Sequence, residues 1–175
     1  MDDVVDYINI PKERIAVLLG KKGVTKRRIQ KECGVKITVD SESGEVQVVR
    51  KTDVEDPLLS LKAMEIVRAI ARGFSPQKAF KLLLPNIYIE IIELPELVSD
   101  KHLPRVRGRI IGEGGKSREY ISRLTSTDIV IYGKTVGIIG DEEAVNIAKE
   151  AIIKLIEGSP HPTVFRFVER HKQKR

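Results

Sequence analysis

The chain has 175 residues, a formal net charge of +6 and a single cysteine, Cys33. One cysteine excludes an internal disulfide and a cysteine-ligated metal cluster, and no apolar run approaches the length needed to cross a bilayer. We therefore expect one or two small domains in a cytoplasmic protein that is neither exported nor embedded in a membrane. Cys33 lies four residues after Ile29 on one helical face, so we expect it to pack in a core.

The first half of the chain alternates between strand-like and helix-like patterns. The predicted elements are a strand at 4–10, a helix from 11, a helix from 24 to about 34, strands at 35–39 and 46–49, and a helix from 57 to about 73. Asp56 can cap the last of these helices, with Pro57 at its first position. The buried stripe predicted for that helix is Leu59, Met64, Val67 and Ile70.

The second half repeats this order after a short connection. Residues 75–85 are predicted to form a linker helix, 79–84, that Pro85 ends. The elements that follow are a strand at 87–94, helices at 104–111 and 116–124, strands at 129–132 and 135–139, and a helix at 141–157. Residues 159–175 are predicted to be a tail whose apolar part, with Phe165 and Phe167, docks on a domain.

Two stretches, VLLGKKGVTKRRIQ (17–30) and RIIGEGGKSREYIS (109–122), share one pattern. In each, an apolar pair precedes a Gly-x-x-Gly turn, and an isoleucine follows at the same distance. A pattern that recurs after roughly ninety residues with its glycines in register indicates a duplicated domain. A third pair, Gly137 and Gly140, lies in a strand-like run and lacks the preceding helical pattern.

Each of the two turns joins two predicted helices and suits the binding of a phosphate. The first amides of the second helix lack intrahelical acceptors and form an anion site. Glycine allows a sugar-phosphate chain to approach where a Cβ would collide. Lys21 and Lys22 favour a phosphate in the first turn, whereas Glu113 opposes one in the second. We expect the first turn to hold a phosphate backbone more strongly unless Arg109, Lys116 and Arg118 outweigh Glu113.

Positive charge is concentrated around these turns. Residues 12–31 carry a net charge of about +7 and residues 101–123 about +5, so the remainder is about −6. A polyanion-binding surface requires this distribution, although solvated helix faces would also show it. Residues 95–103, which the first repeat lacks, either contact the polyanion through Lys101 and His102 or form a surface loop. The basic end of the tail, with Arg170, Lys172, Lys174 and Arg175, either reaches the polyanion or is a disordered terminus.

An enzyme is the alternative from another class, because Gly115-Lys116-Ser117 matches the end of a phosphate-binding P-loop. The first glycine of that motif would fall at position 110, which is Ile110, and a strand should precede the loop. A dinucleotide-binding pattern fails in the same way at Ser117. The three histidines are dispersed, so we predict no metal, no cofactor and no catalytic site.

The two turns resemble the loop of the KH domain, which clamps the backbone of single-stranded nucleotides. The order of elements is that of the type I arrangement. The resemblance implies an α+β fold with two tandem type I KH domains (βααββα), each a three-stranded sheet packed on one side by three helices. The expected boundaries are 1–74 for the first domain, 75–85 for the linker, 86–158 for the second domain and 159–175 for the tail.

Longer phrases, RGFSPQKAFKLL (72–83), RGRIIGEGGKSREYI (107–121), YGKTVGIIG (132–140) and PHPTVFRFVER (160–170), are similar to archaeal members of the Dim-two, or partner-of-Nob-one, family of small-subunit ribosome assembly factors. The resemblance implies a non-enzymatic protein that binds single-stranded RNA near the 3′ end of small-subunit ribosomal RNA. It implies the Nob-one-type endonuclease and other assembly or initiation factors as partners. The candidate RNA-binding residues are Gly20, Lys21, Lys22, Gly23, Lys26, Arg27, Arg109, Gly112, Glu113, Gly114, Gly115, Lys116 and Arg118.

We expect the phosphates to lie on the glycine turns and the bases to lie between the helices and the second strand. Backbone groups around 37–39 and 129–131 would then recognise the bases. Aromatic residues make up 5% of the chain, so aromatic stacking platforms are not expected, and packing explains Tyr120 and Tyr132 more simply. The remaining alternative is an adaptor that keeps the KH fold but acts mainly through protein contacts.

Overall fold

The computed structural model describes residues 3–51, 53 and 56–173. The chain divides into two compact units, Met1–Pro85 and Asn86–Arg175. Each unit contains the order strand, helix, helix, strand, strand, helix, so the duplication predicted from the glycine turns is confirmed.

The first unit is a three-stranded antiparallel sheet with helices on one face. Its elements are β1 (Val4–Asn9), α1 (Lys12–Leu19), α2 (Val24–Cys33), β2 (Val35–Val39), β3 (Glu45–Arg50), α3 (Pro57–Ala71) and the single-turn α4 (Pro76–Ala79). The strand order is β1-β3-β2, so β2 lies at an edge of the sheet. Ile37 of β2 faces Val48 of β3.

The core of the first unit forms because the strands alternate and the helices each present one apolar stripe. Val35, Ile37 and Val48 point to the same side of the sheet and are buried; each such side chain contributes roughly 1.5–3 kcal/mol. Cys33 is also buried, as predicted. Burial, with the nearby Glu32 charge second, raises the pKa of its thiol to about 11.

The buried stripe of α3 differs from the prediction at two of its four positions. Val67 and Ile70 are fully buried, but Leu59 and Met64 are only half-buried. Ala63 and Ile66 occupy the stripe instead. Spacings of three and four residues place 63, 66, 67 and 70 on one face of the helix. Met64 lies outside this face. Asp56 caps this helix as predicted, accepting a hydrogen bond from the amide of Leu58 at 2.9 Å.

The linker helix starts at Ser75 and Pro76 as predicted, but the predicted α-helix at 79–84 is wrong in type. It is one α-helical turn, α4, followed by a 3₁₀ turn at Phe80–Leu83. Pro85 explains the early end, because a proline restricts the preceding residue to extended backbone, and Leu84 has ψ 146°. Both turns pack on α3, and Leu82 is fully buried.

The second unit has the same sheet, and its last helix is far longer than the single turn α4 of the first unit. Its elements are β4 (Ile87–Glu93), α5 (Leu103–Ile111), α6 (Lys116–Thr125), β5 (Asp128–Tyr132), β6 (Thr135–Asp141), α7 (Glu142–Ile156) and α8 (His161–Gln173). The antiparallel order is β4-β6-β5, so β5 lies at an edge. The insertion before α5 contains two short 3₁₀ turns, Leu94–Glu96 and Asp100–His102, and exposes Lys101 and His102.

The predicted tail is a helix, α8, that completes the second core. Val164 and Val168 are buried in that core, and Phe165 and Phe167 pack against it. The predicted docking of the apolar part is therefore confirmed, whereas the helix itself was missed. The spacing of the two valines was the available signal. Arg170 and Lys172 are exposed, while Lys174 and Arg175 lie outside the described residues.

Candidate nucleic-acid interface

The two glycine turns have nearly the same backbone conformation. Three of the four residues in each turn lie at positive φ, which glycine adopts at least cost. The angles (φ, ψ) are 73°, 172° at Gly20 and 74°, 174° at Gly112; 55°, 28° at Lys22 and 60°, 22° at Gly114; 76°, 14° at Gly23 and 79°, 7° at Gly115. The duplication therefore preserves a loop shape as well as a residue pattern.

Internal hydrogen bonds close each turn. The amide of Gly23 donates to the carbonyl of Gly20 at 3.1 Å, and that of Val24 donates to Lys21. The second turn has the equivalent bonds, from Gly115 to Gly112 and from Lys116 to Glu113. These amides are therefore used within the turns. In each helix the next two backbone amides have no intrahelical acceptor, because an α-helix leaves its first amides unpaired. The predicted anion site would then use the amides of Thr25 and Lys26 in α2 and of Ser117 and Arg118 in α6, two and three residues after the last glycine of each turn.

The first glycine of each turn is required by the chain itself. A Cβ on Gly20 would lie 2.4 Å from Oγ1 of Thr25, and one on Gly112 would lie 2.5 Å from Cβ of Ser117. We predicted glycine here because RNA would approach closely. The structure adds an internal reason, since the following helix starts directly beneath the turn.

Lys22 adopts the left-handed conformation that Gly114 adopts in the second turn. For a residue with a side chain this conformation costs about 1 kcal/mol. The first turn therefore accepts strain and presents a cation, whereas the second avoids the strain and presents no charge at that position.

The charged residues of the first turn face solvent. Lys21, Lys22 and Arg27 are exposed and Lys26 is half-buried. The Arg27 guanidinium donates to the carbonyl of Lys22 at 2.6 Å, so it braces the loop. The structure thus brings the predicted cations of the first repeat together at one end of α2.

The predicted residues of the second turn divide into two groups. Glu113 and Lys116 are exposed at the loop. The Arg109 guanidinium instead points inward and donates to the carbonyls of Leu155 at 3.0 Å and Ser159 at 2.5 Å. It thereby binds the C-terminal end of α7, where the helix dipole favours a cation.

One edge strand of each sheet, β2 in the first unit and β5 in the second, is hydrogen-bonded by a side chain from the neighbouring helix. In the first unit the amide of Ile37 donates to Oε1 of Gln30 at 2.8 Å. In the second unit Nη1 of Arg118 donates to the carbonyl of Ile129 at 3.2 Å. These bonds lie at the strand positions where we predicted base recognition.

A basic depression of about 480 Å³ follows α2 and the start of β2. Its lining residues are Arg27, Gln30, Lys31, Val35, Lys36 and Lys51. Of these, only Arg27 was among the predicted site residues. The alternation of β2 puts Lys36 on its polar face, and this signal was available from the sequence. The position of Lys51 depends on how β3 is paired.

A second depression, of about 450 Å³, lies beside the second turn. Arg105, Gly112, Lys116, His161 and Phe165 are among the residues that line it. Nε2 of His161 lies 2.8 Å from the carbonyl of Arg109, so α8 contributes to this surface.

Several other chemistries lack support in the part of the chain that the structure describes. No group of three or more His, Cys, Asp or Glu residues there could hold a metal ion. The helix α5, rather than a strand, precedes Gly115-Lys116-Ser117, which is not the P-loop arrangement. None of the described helices combines the length and apolarity of a membrane span.

Comparison with known proteins identifies the family. Residues 88–173 match the eukaryotic-type KH domain, type I, and residues 5–55 match the general KH domain. The chain is 44% identical to the KH domain-containing protein MJ0443 of Methanocaldococcus jannaschii, over 99% of this chain and 76% of that protein. It is 51% identical to the crystal structure of Dim2p from Pyrococcus horikoshii OT3, with a TM-score of 0.89 over 95% of this chain and 99% of that one. The chain belongs to the Dim2p/PNO1 family.

The fold and family predicted from the sequence are thus confirmed. A further Dim2p/PNO1 relative, the pre-rRNA-processing protein pno1 of Schizosaccharomyces pombe, is 33% identical over 75% of this chain and 56% of its own length. The chain is also 50% identical to a chain in the crystal structure of an a/eIF2alpha-aDim2p-rRNA complex from Pyrococcus horikoshii OT3. That match has a TM-score of 0.92 over 99% of this chain and 96% of that one.

Proposed function

We propose that this chain is an RNA-binding factor of small ribosomal subunit assembly that holds single-stranded ribosomal RNA near its 3′ end. The observation that carries the proposal is the pair of exposed Gly-x-x-Gly turns with matching backbone angles. Each turn stands at the start of a helix, where amides favour a phosphate. The names of the relatives, which include a pre-rRNA-processing protein and a complex with rRNA, support the choice of RNA.

The first turn is the stronger phosphate site in this proposal. Lys21 and Lys22 add two exposed cations to the amides of Thr25 and Lys26, and Arg27 holds the loop in shape. In the second turn the exposed Glu113 reduces the attraction, and Lys116 offsets it. The bases then lie against β2 and β5, beside the side chains of α2 and α6.

The protein acts by positioning RNA rather than by catalysis. We propose that the Nob-one-type endonuclease is the partner that cleaves the RNA held in this way. A relative has been crystallised with a/eIF2alpha as well as rRNA, and this favours an initiation factor as a second partner. The same observation supports a role as an adaptor, in which protein contacts would dominate.

Replacement of both loop lysines tests the RNA-binding role. K21D/K22D should weaken the binding of a fluorescently labelled single-stranded RNA carrying the 3′-terminal small-subunit sequence. The slope of log K against log salt should fall by about 1.4, since each phosphate contact to a single strand contributes about 0.7.

The double variant K78D/K81D is the matched control. It changes the net charge equally, at one residue of α4 and one residue of the 3₁₀ turn that follows it, and neither belongs to a glycine turn. Equal salt slopes for both double variants would exclude the first turn as a phosphate site. Retained binding of the partner proteins together with no RNA binding by the wild type would favour the adaptor.

A further inference from the structure

The depression of about 450 Å³ beside the second turn is separate from the groove between α6 and β5. It is formed by α5, the turn, the start of α6 and α8, and none of the described residues that line it belongs to β5. Where the second unit has α8, the first has the single turn α4 and a 3₁₀ turn. The depression is therefore a surface of the second unit that the duplicated domain alone does not provide.

Ser117 lines this depression and carries a buried hydroxyl. The residue is 4% exposed, and within the part of the chain that the structure describes its Oγ has no hydrogen-bond partner. A buried hydroxyl without a partner costs free energy, because its hydrogen bonds to water are lost and not replaced. Such groups are rare in native proteins, and each calls for an explanation. A ligand oxygen in the depression would accept from this hydroxyl.

Gly108 lies within α5 and lines the same depression. A glycine inside a helix is less stable than an alanine, and no atom of the described residues lies within 4 Å of the place that its Cβ would take. Gly112 differs in this respect, since Ser117 fills the space that a Cβ would need. The packing of the chain therefore does not require glycine at 108, whereas a molecule lying against α5 would.

Cations and an aromatic ring surround this space. Arg105 and Lys116 are exposed and line the depression together with Glu113, so the two cations outnumber that anion. Phe165 of α8 is half-buried, and the centroid of its ring lies 4.5 Å from that of Tyr120. A nucleotide combines a flat base with a phosphate, and aromatic rings beside cations are a typical surface for single-stranded nucleic acid.

The first unit has different chemistry at the equivalent positions. When the two glycine turns are aligned, Arg105, Gly108 and Lys116 correspond to Glu13, Ala16 and Val24. One cation is thus replaced by an acid, the other by an apolar side chain, and the glycine by a residue with a Cβ. The first unit carries its cations within the turn, whereas the second carries them beside it.

We propose that this depression binds one nucleotide of the RNA strand that the second turn holds. The base lies against Phe165, the phosphate lies between Arg105 and Lys116, and Ser117 donates to an oxygen of the nucleotide. The inference rests on the proposed RNA-binding function and adds a contact outside the groove. RNA is favoured over an acidic protein segment because the depression shares Gly112 and Lys116 with the turn, so a strand on the turn continues into it.

Serine-to-alanine variants of the full chain separate binding from packing. S117A removes a hydroxyl without a partner, so its melting temperature should equal or exceed that of the wild type. Its affinity for the labelled 3′-terminal RNA should fall about tenfold, as for the loss of a hydrogen bond to a charged group. S60A is the matched control, because Ser60 is also 4% exposed but donates to the carbonyl of Pro57 at 2.7 Å. It should lower the melting temperature and leave RNA affinity unchanged.

Two further variants test the ring and the open space. F165L keeps an apolar side chain but loses the stacking surface, and it should weaken RNA binding about tenfold. F167L makes the same change at a half-buried phenylalanine of α8 that packs against Lys154, and it should bind as the wild type does. G108A should raise the melting temperature by about 4 °C or more and weaken RNA binding, since its Cβ would occupy the site.

Fluorescence anisotropy measures the affinities, and circular dichroism establishes that each variant is folded. Unchanged RNA affinity in folded S117A, F165L and G108A would overturn this inference and leave the proposed function standing. If F165L lost affinity for a labelled glutamate-rich peptide but not for RNA, the depression would belong to a protein partner, which would also overturn the inference. Failure of the wild type to bind RNA would overturn the proposed function and this inference with it.

Discussion

Gly112 and Ser117 are packed so closely that a Cβ on the glycine would lie 2.5 Å from the Cβ of the serine. Gly112 opens the second turn and Ser117 lies in the first turn of α6, where it is 4% exposed. The contact fixes the distance between the loop and the helix start. It thus determines where the helix amides point.

The alanine variants of this turn should differ in stability. Gly114 has a positive φ, but a Cβ there would meet no atom within 4 Å. We expect G114A to lower the free energy of unfolding by about 1 kcal/mol, the cost of the backbone conformation. G112A adds a steric collision and should cost about 2 kcal/mol more. Urea titration measures both, and equal losses would contradict the role of Ser117.

Arg109 should be important for stability rather than for RNA affinity. Its guanidinium binds the carbonyls of Leu155 and Ser159, so R109A should lower the free energy of unfolding by about 2–3 kcal/mol. K116A, at an exposed residue of the loop, should have the opposite profile, with lower RNA affinity and little change in stability. If R109A weakened RNA binding while its urea midpoint stayed that of the wild type, Arg109 would be a direct RNA contact.

A charge reversal at Glu113 should strengthen RNA binding. E113K removes the anion from the second turn and should increase the salt slope of binding by about 0.7 or more. E119K makes the same change at another exposed residue of this unit, on α6, and controls for net charge. Fluorescence anisotropy at several salt concentrations separates the two. An equal effect of both variants would mean that overall charge, and not the loop, governs affinity.

The helix α8 should be part of the folded second unit. Val168 is 1% exposed in its core, so V168A should cost about 2 kcal/mol through lost burial and a residual cavity. R166A, at an exposed position of the same helix, should be close to neutral. Thermal unfolding followed by circular dichroism provides the comparison, and a neutral V168A would show that α8 is not integral to the fold.

Cys33 should make stability fall at high pH. Its pKa is about 11 in the folded chain, mainly because of burial, against an ordinary value of 9.0. The folded state therefore holds the proton more tightly, and the resulting stability is complete below about pH 9 and lost as the pH rises to about 11. The contribution is roughly 3 kcal/mol. The difference in unfolding free energy between wild type and C33A should shift by about 2 kcal/mol between pH 8 and 11, and no shift would indicate a solvent-accessible thiol.

Local signals were sufficient for the order of elements and for the two turns. The positive φ of the turn glycines, the cap at Asp56 and the strand alternation at Ile37 depend on residues only a few positions away. For the same reason the sequence correctly separated Gly137 and Gly140, which lie in β6, from the two turns that join helices. Recurrence of the pattern then indicated two tandem domains before any contact was known.

The contacts that individual side chains make depend on the tertiary structure. Arg109 binds Leu155, 46 residues away, and the docking of Val164 and Val168 turns the predicted tail into a core helix. Gln30 and Ile37 are near neighbours in sequence, yet their bond requires β2 to be an edge strand facing α2. Such contacts depend on the packing of whole elements, which a pattern of residue types along one chain does not encode.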